Sequence, residues 1–455
     1  MKKIIISILF IGVLFSSCEK WIDPSMNVDP NNPKEVAMAQ LVAPIEANLA
    51  YTVGGELARW NCVWMQQIAG IQSQSAENDI YIFGESDADN VWSYNLYAPG
   101  MISTKILMEK AVAENSPHYA GIAKILMAYQ LAVTTDQWGD VPYSDALKGA
   151  SNEFKPKYDT QEKIYTTIFT LLNEAITDLG AANSTFSPDA EDLIFAGDLD
   201  MWNRTAYALK ARYSLHLAKK KGATAYTDAL TALTNTYTSN DDDFKFVFSS
   251  AYNNSNPIFQ SEQERSGYYT ASATYINMLT AKNDPRMAVY FDGTVGTKPG
   301  EPNPNAAVIG PAYASDVSPV YLMSYVEVKF IEAEASFATN DKLRAANAYN
   351  EGLKASLQRE GVYGDGSWFN TQKETDATIT LEKIMNQKYL SSFLQIETWT
   401  DWRRTGFPAL VKATGAVTSE IPRRLLYPAD ERLYNGENMP TGLTLTNRVW
   451  WDSAN

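Results

Sequence analysis

Apolar residues along this chain recur mainly at intervals of three and four, the repeat of a helix with one face turned inward. The longest such run is AKILMAYQLAVTTDQWGDVPYSDAL at 123–147, where Ile122, Leu126, Tyr129, Val133 and Asp136 keep step. Its stripe ends on an acid. Gly139 can take the left-handed conformation that closes a helix and Pro142 cannot continue one, so a stop is predicted there. Shorter repeats predict one helix on Leu41, Ile45 and Leu49, and a second on Leu57, Trp60, Trp64, Ile68 and Ile71. Residues 102–115 should pair with the long helix across the turn SPHY. Ile164, Ile168, Leu171, Ala175 and Leu179 mark another helix, with Asp159 and Glu162 at capping-box spacing. Trp202, Ala206, Leu209, Tyr213 and Leu217 mark its partner. A third pair covers 321–338 and 341–358, the latter with Leu343, Ala346, Leu353 and Leu357 in register. A long helix over 381–400 follows.

Helix pairs of this length predict a mainly α fold, a tetratricopeptide-like scaffold. A strict repeat register is absent, so the scaffold should carry large loop-rich insertions, at about 72–100, 239–320 and 402–455. FKFVF at 244–248 and MAVYF at 287–291 read as short strands, and KPGEPNPNAAVIGP at 298–311 as surface punctuation. The first insertion, QSQSAENDIYIFGESDADNVWSYNLYAPG, loses the helical period and mixes amides and carboxylates with aromatics. Amides and acids can bond to hydroxyl or amide groups while rings cover apolar faces, which is what a carbohydrate or peptide site requires. Tyr81, Trp92 and Tyr94 are the candidate ligand residues there. Asn254, Arg265 and Tyr268 join them from YNNSNPIFQSEQERSGYY at 252–269. Any single ring among them could instead anchor its loop to the core.

The N-terminus, MKKIIISILFIGVLFSSC, changes the setting. Lys2 and Lys3 precede a twelve-residue apolar run, Ile4 to Phe15, that as helix covers about 18 Å against the roughly 30 Å of a bilayer core. That is an export signal. Ser16 and Ser17 then lead into Cys18, a lipoprotein processing site, so 1–17 is the signal and Cys18 the lipidated residue. Residues 18–35, rich in Pro, Asn and Asp, form a tether, and 36–455 a single domain. Cys62 is then the one remaining thiol, so a packed core must replace disulfides. The formal net charge is −15, or −17 once Lys2 and Lys3 leave with the signal. This opposes binding to nucleic acid or adsorption to anionic lipid, leaving the acyl anchor as the membrane contact.

Chemistry is sparse. In WTDWRRTGFP, Trp399 and Trp402 should pack while Arg403 and Arg404 pair with acids at a helix end. With only His118 and His216 in the chain, no metal site is expected; His118 lies in a turn and His216 beside the core residue Leu217. Asn240 to Asp243 misses calcium-loop spacing and reads as a solvated acidic turn. No G-x-S-x-G, H-E-x-x-H or P-loop occurs, so neither a catalytic residue nor a cofactor is assigned.

Several stretches in order carry a family resemblance. They are WGDVPYSDAL, KYDTQEKIY, RTAYALKARYSLHLAK, DPRMAVYF, YLMSYVEVKFIEAEASF, IMNQKYLSSFLQIETWTDWRRTGFP, IPRRLLYP and VWWD. Together with the lipoprotein signal they resemble SusD/RagB proteins, surface lipoproteins that bind nutrients. The resemblance implies an outer-membrane protein facing the exterior that binds a glycan or peptide, a glycan first. It also implies delivery to a SusC-like TonB-dependent transporter, the helical scaffold meeting the barrel and the inserted loops holding the ligand. A surface glycoside hydrolase and a structural subunit without ligand are the alternatives.

Overall fold

The computed structural model describes residues 36–453; the signal, Cys18 and the tether of the sequence reading lie outside them. Helix α1 (Met38–Thr52) runs through one π turn, Val53–Leu57, into α2 (Ala58–Trp64). Gly55 leaves helical geometry (φ −98°, ψ −111°) and turns Glu56 and Arg59 outward from the core. The predicted helix over 57–71 ends at Trp64, just before Gln66 at φ +56°, and Ile68–Gly70 pairs antiparallel with Tyr269–Ala271. The 72–100 segment is ordered rather than irregular. It holds α3 (Ser73–Asp79), a 3-10 turn at Glu85–Ala88 and a π-helix at Val91–Ile102.

The scaffold follows as α4 (Ser103–Ala113), α5 (Pro117–Trp138), α6 (Gln161–Leu179), α7 (Leu199–His216) and α8 (Ala223–Ala232). Beyond a loop-rich region containing α9 (Pro257–Glu264) come α10 (Tyr325–Ala338), α11 (Lys342–Arg359), α12 (Leu381–Ser391) and α13 (Glu397–Thr405). The expected pairs α4–α5 and α10–α11 form, while α6 packs on both α5 and α7, and α7 also on α8. The mainly α, tetratricopeptide-like reading of the sequence is what the chain adopts.

Helix α5 is the axis. From Tyr119 to Trp138 every residue but Lys124 is buried, so it has no outer face, contrary to the one-sided stripe expected. Part of its polar surface is bonded from within: Thr134 Oγ1 donates to Gln130 O, and Gln161 Nε2 donates to Thr135 O. The Lys124 ammonium reaches Glu174 and Asp178 of α6 at 2.9 and 2.7 Å. Gly121 lets the two helices close, since a Cβ there would lie 2.7 Å from Leu179 Cγ. Gly139, at φ +90°, ends α5 as predicted.

Four local expectations differ. Thr160, not Asp159, caps α6 through Lys163 N, because Asp159 is engaged with the backbone N–H groups of Tyr143 and Ser144. Leu343 is 62 % exposed, outside the stripe of Ala346, Leu353 and Leu357. The 381–400 helix breaks at Leu394 (φ +55°), where the buried Gln67 donates to Tyr389 O and Ser392 O and accepts from Leu394 N. MAVYF forms a short helix, Met287–Tyr290, before its strand at Phe291–Asp292.

Buried charges tie the helices together. His216 lies 3.1 Å from Asp136 and 2.7 Å from Glu397, and Tyr165 donates to Asp136 Oδ1. Burial by itself would lower the His216 pKa, but the two carboxylates raise it to about 9. Burial would likewise raise Glu397, yet His216, Arg212 and Lys388 bring it down to about 2. Arg404 binds Glu334 and Asp401 as expected. Arg403 instead donates to the carbonyls of Asp136 and Arg423, its guanidinium 3.8 Å from the Trp399 ring and 4.7 Å from Trp451. Asp243 of the acidic turn is buried, accepting from Tyr325 N.

Candidate functional site

The kink at Gly55, the ordered 72–100 segment and α9 with the turn after it enclose one continuous cleft. Its open part is lined by Glu56, Arg59, Asn90, Asn95, Gln260 and Arg265, among others. A narrow inner crevice shares Glu56, Arg59, Ser261 and Arg265 and adds Trp60, Asn78, Phe83, Asp87, Tyr268 and Tyr269. Polar amides and guanidiniums face flat rings and Ile82 across this space, the combination that suits a ligand with both hydroxyls and apolar faces.

The rings of the wall pack against one another. Trp60 and Phe83 meet edge to face at 5.0 Å, and Phe83 meets Trp64 at 5.6 Å. Burial pushes the Tyr269 hydroxyl up, against the pull of Arg59. The polar groups divide into two kinds. Some are engaged: Arg59 lies 3.8 Å from Glu56, Gln74 Nε2 donates to Asp87 Oδ1, and Ser75 Oγ donates to Tyr268 O. Others are open. The side chains of Asn90, Asn95 and Arg265 make no hydrogen bond or ion pair among the described residues. Exposed amides and a guanidinium held without partners can exchange water for ligand at little loss.

Of the six candidate ligand residues, the cleft gathers two, Arg265 and Tyr268. Tyr81 and Trp92 are core residues, which corrects their sequence reading. Trp92 is 3 % exposed and packs on Tyr97, Trp138 and Tyr427 with ring centroids 4.9, 5.2 and 6.1 Å away. Tyr81, at φ +65°, is held in that unusual conformation by burial of its ring and by its hydroxyl, which accepts from Ala413 N. Tyr94 is 68 % exposed and Asn254 is exposed, and neither is among the residues lining the cleft. Sequence reasoning missed Arg59, Trp60, Asn78, Phe83, Asn90 and Asn95. Asn78, Asn90 and Asn95 lay within the segment singled out, where the amide-rich composition was the available signal. Arg59 and Trp60 were hidden in a helical stripe.

A family model described as "Starch-binding associating with outer membrane" matches residues 30–428. Among solved structures, a SusD/RagB family protein from Bacteroides thetaiotaomicron superposes with a TM-score of 0.77 at 24 % identity, covering 92 % of this chain and all (100 %) of that one. A chitin-binding SusD homologue from Flavobacterium johnsoniae gives 0.77 at 24 %, covering 91 % and 98 %. A SusD homologue from Bacteroides uniformis gives 0.76 at 24 %, covering 91 % and 99 %. A search of curated proteins returns no match. The structural likeness establishes the fold, and the family model, spanning most of the sequence, establishes that this chain belongs to the SusD-like family.

Proposed function

We infer that the protein is a surface lipoprotein, anchored in the outer membrane through Cys18, that captures a glycan in this cleft and passes it to a SusC-like TonB-dependent transporter. The observation that carries the reading is the cleft itself: open amides and a guanidinium opposite a ring wall, assembled from segments inserted among the scaffold helices. The starch-binding description of the family and the chitin-binding relative support a glycan over a peptide. Among the described residues no helix is long and apolar enough to cross a membrane, which agrees with an acyl anchor. We read the cleft as one that binds without catalysis; its lining acids are Glu56, Asp87 and Glu264. The carboxyls that burial raises, Glu46, Asp79, Asp243 and Glu262, are not lining residues of the cleft, and Asp87 is tied to Gln74 and to Gly84 N.

The test is calorimetric titration of the intact chain with neutral oligosaccharides, alongside purification from its own membranes. One sugar should bind without new reducing ends appearing, and a β-barrel transporter should accompany the protein. Arg265→Ala should weaken binding about tenfold while stability stays within about 0.5 kcal/mol, because the residue is exposed. Unchanged affinity in that variant, or release of reducing ends, would refute the reading.

A further inference from the structure

The turn that carries Arg265 is held from the far side of the cleft. It follows directly on α9, with Arg265 N donating to Ser261 O at 2.8 Å and Tyr268 N to Arg265 O at 3.2 Å. Gly267 sits at φ +75°, a left-handed position that suits glycine. The ribbon between Ile68–Gly70 and Tyr269–Ala271 brings this turn against the entry to α3, and its register sets Ile71 opposite Tyr268 and Gln72 opposite Gly267. Ile71 N and Ser75 Oγ both donate to Tyr268 O, at 2.9 and 2.8 Å. One step further out a side chain takes over from the backbone: Gln72 Nε2 donates to Gly267 O at 3.1 Å. The inner and outer bonds differ in kind. Ser75 is 3 % exposed and belongs to the packed body, whereas Gln72 is exposed and is not a lining residue of the cleft. Between them Ser73 is held at φ +46°, a conformation that a side chain other than glycine adopts at a cost and keeps only where its surroundings impose it.

We propose that Gln72 is a positioning residue for ligand binding: its bond to Gly267 O extends the ribbon by one step and fixes the turn that stands the Arg265 guanidinium in the cleft. This rests on the reading of Arg265 as a ligand residue given above. Gln72 itself touches no ligand. The Arg265 side chain makes no hydrogen bond or ion pair among the described residues, so its place is set by the backbone beneath it. An arginine on a free turn gives up the freedom of both turn and side chain when it binds. On a clasped turn the backbone part of that cost has been met during folding, and the saving appears as affinity. The clasp costs the fold little to lose, because the bond lies at the surface and water can replace the amide at Gly267 O.

The test is a double-mutant cycle on the intact chain, titrated with maltoheptaose, chitohexaose, cellohexaose and xylohexaose. Gln72→Met keeps the length of the side chain without its donor, and Gln72→Lys keeps a donor. For a sugar that binds wild type, Gln72→Met should weaken affinity about three- to fivefold, while Gln72→Lys stays within about twofold. In the Arg265→Ala background the same Gln72→Met change should add no further loss, because the residue it positions is gone. Melting temperatures of the Gln72 variants should stay within about 1 °C of wild type. Unaltered affinity in Gln72→Met would overturn the inference, as would a loss in Gln72→Lys as large as in Gln72→Met. An equal loss in both Arg265 backgrounds would overturn it too, since Gln72 would then act on the cleft by another route. So would a fall of several degrees in melting, which would mark Gln72 as part of the structural frame. Each of these results leaves the cleft reading standing. If Arg265→Ala alone binds as wild type does, or none of the four sugars binds wild type, the reading beneath this inference fails and the inference fails with it.

Discussion

His216 is a buried imidazole set between two carboxylates, and its titration sets one limit on stability. Its folded pKa, about 9, lies above the unfolded value of 6.5, so its contribution is complete below about 6.5 and is lost as pH rises through 9. Glu397, near 2 when folded against 4.5 unfolded, contributes fully above 4.5 and loses that contribution as pH falls toward 2. The pair therefore stabilises most between about 4.5 and 6.5. Glu46 adds to the alkaline side. Burial and the neighbouring Asp192 raise its pKa from 4.5 to about 10, so its share is present at low pH and declines as pH rises. Thermal unfolding scanned from pH 6 to pH 9.5 should show a falling melting temperature, with a shallower slope in His216→Gln. Equal slopes would mean that the imidazole is not charged in the fold. At this scale the sequence was partly legible. Arg265 and Tyr268 were recognisable because they sit among Ser, Gly and Glu, whereas Tyr81 and Trp92 shared that composition and were drawn into the core by partners more than 40 residues away, Trp138 and Ala413. No local pattern encodes such contacts.

Helices were legible where a stripe of apolar residues met a stop signal, as in α6 and at Gly139. They were misread where side chains from distant segments supply backbone partners. Gln67 is such a case: a residue near the first ribbon holds the break between α12 and α13 by bonding to Tyr389, Ser392 and Leu394. The buried circumference of α5 was hidden for a related reason, since Gln130, Thr134 and Thr135 are polar yet buried, with Thr134 donating to Gln130 O and Gln161 to Thr135 O. The contact between α5 and α6 makes its own prediction. Gly121→Val would place methyl groups where Leu179 and the Ala175 carbonyl already stand, costing about 1–3 kcal/mol in chemical denaturation. Gly121→Ala should fall at the lower end of that range, and an unaffected Val variant would mean that the helices can separate without loss.

Across the whole molecule, the segment after α13 is bound into the scaffold rather than laid over it. Trp451 Nε1 donates to Asp136 Oδ1 at 2.8 Å and its backbone N donates to Gln161 Oε1 at 3.1 Å, while Trp138 Nε1 donates to Leu426 O. Asp452 holds Arg423, Lys219 and Arg448. The predicted loop-rich insertion over 402–455 thus completes the end of α5. Trp451→Ala should remove about 3–5 kcal/mol of stability, measured by denaturant unfolding, because a fully buried indole and its bond to Asp136 go together. A loss below about 1 kcal/mol would place the segment outside the cooperative unit. The bond between Trp451 and Asp136 spans 315 positions of sequence. A polypeptide emerging from its amino end must hold the carboxylate of Asp136 without that partner until the 315 positions between them have been delivered. Closure of so long a loop comes late, so the axial helix gains its final seal after its surroundings have assembled, and a chain interrupted before Trp451 lacks the clasp that would make its collapse final.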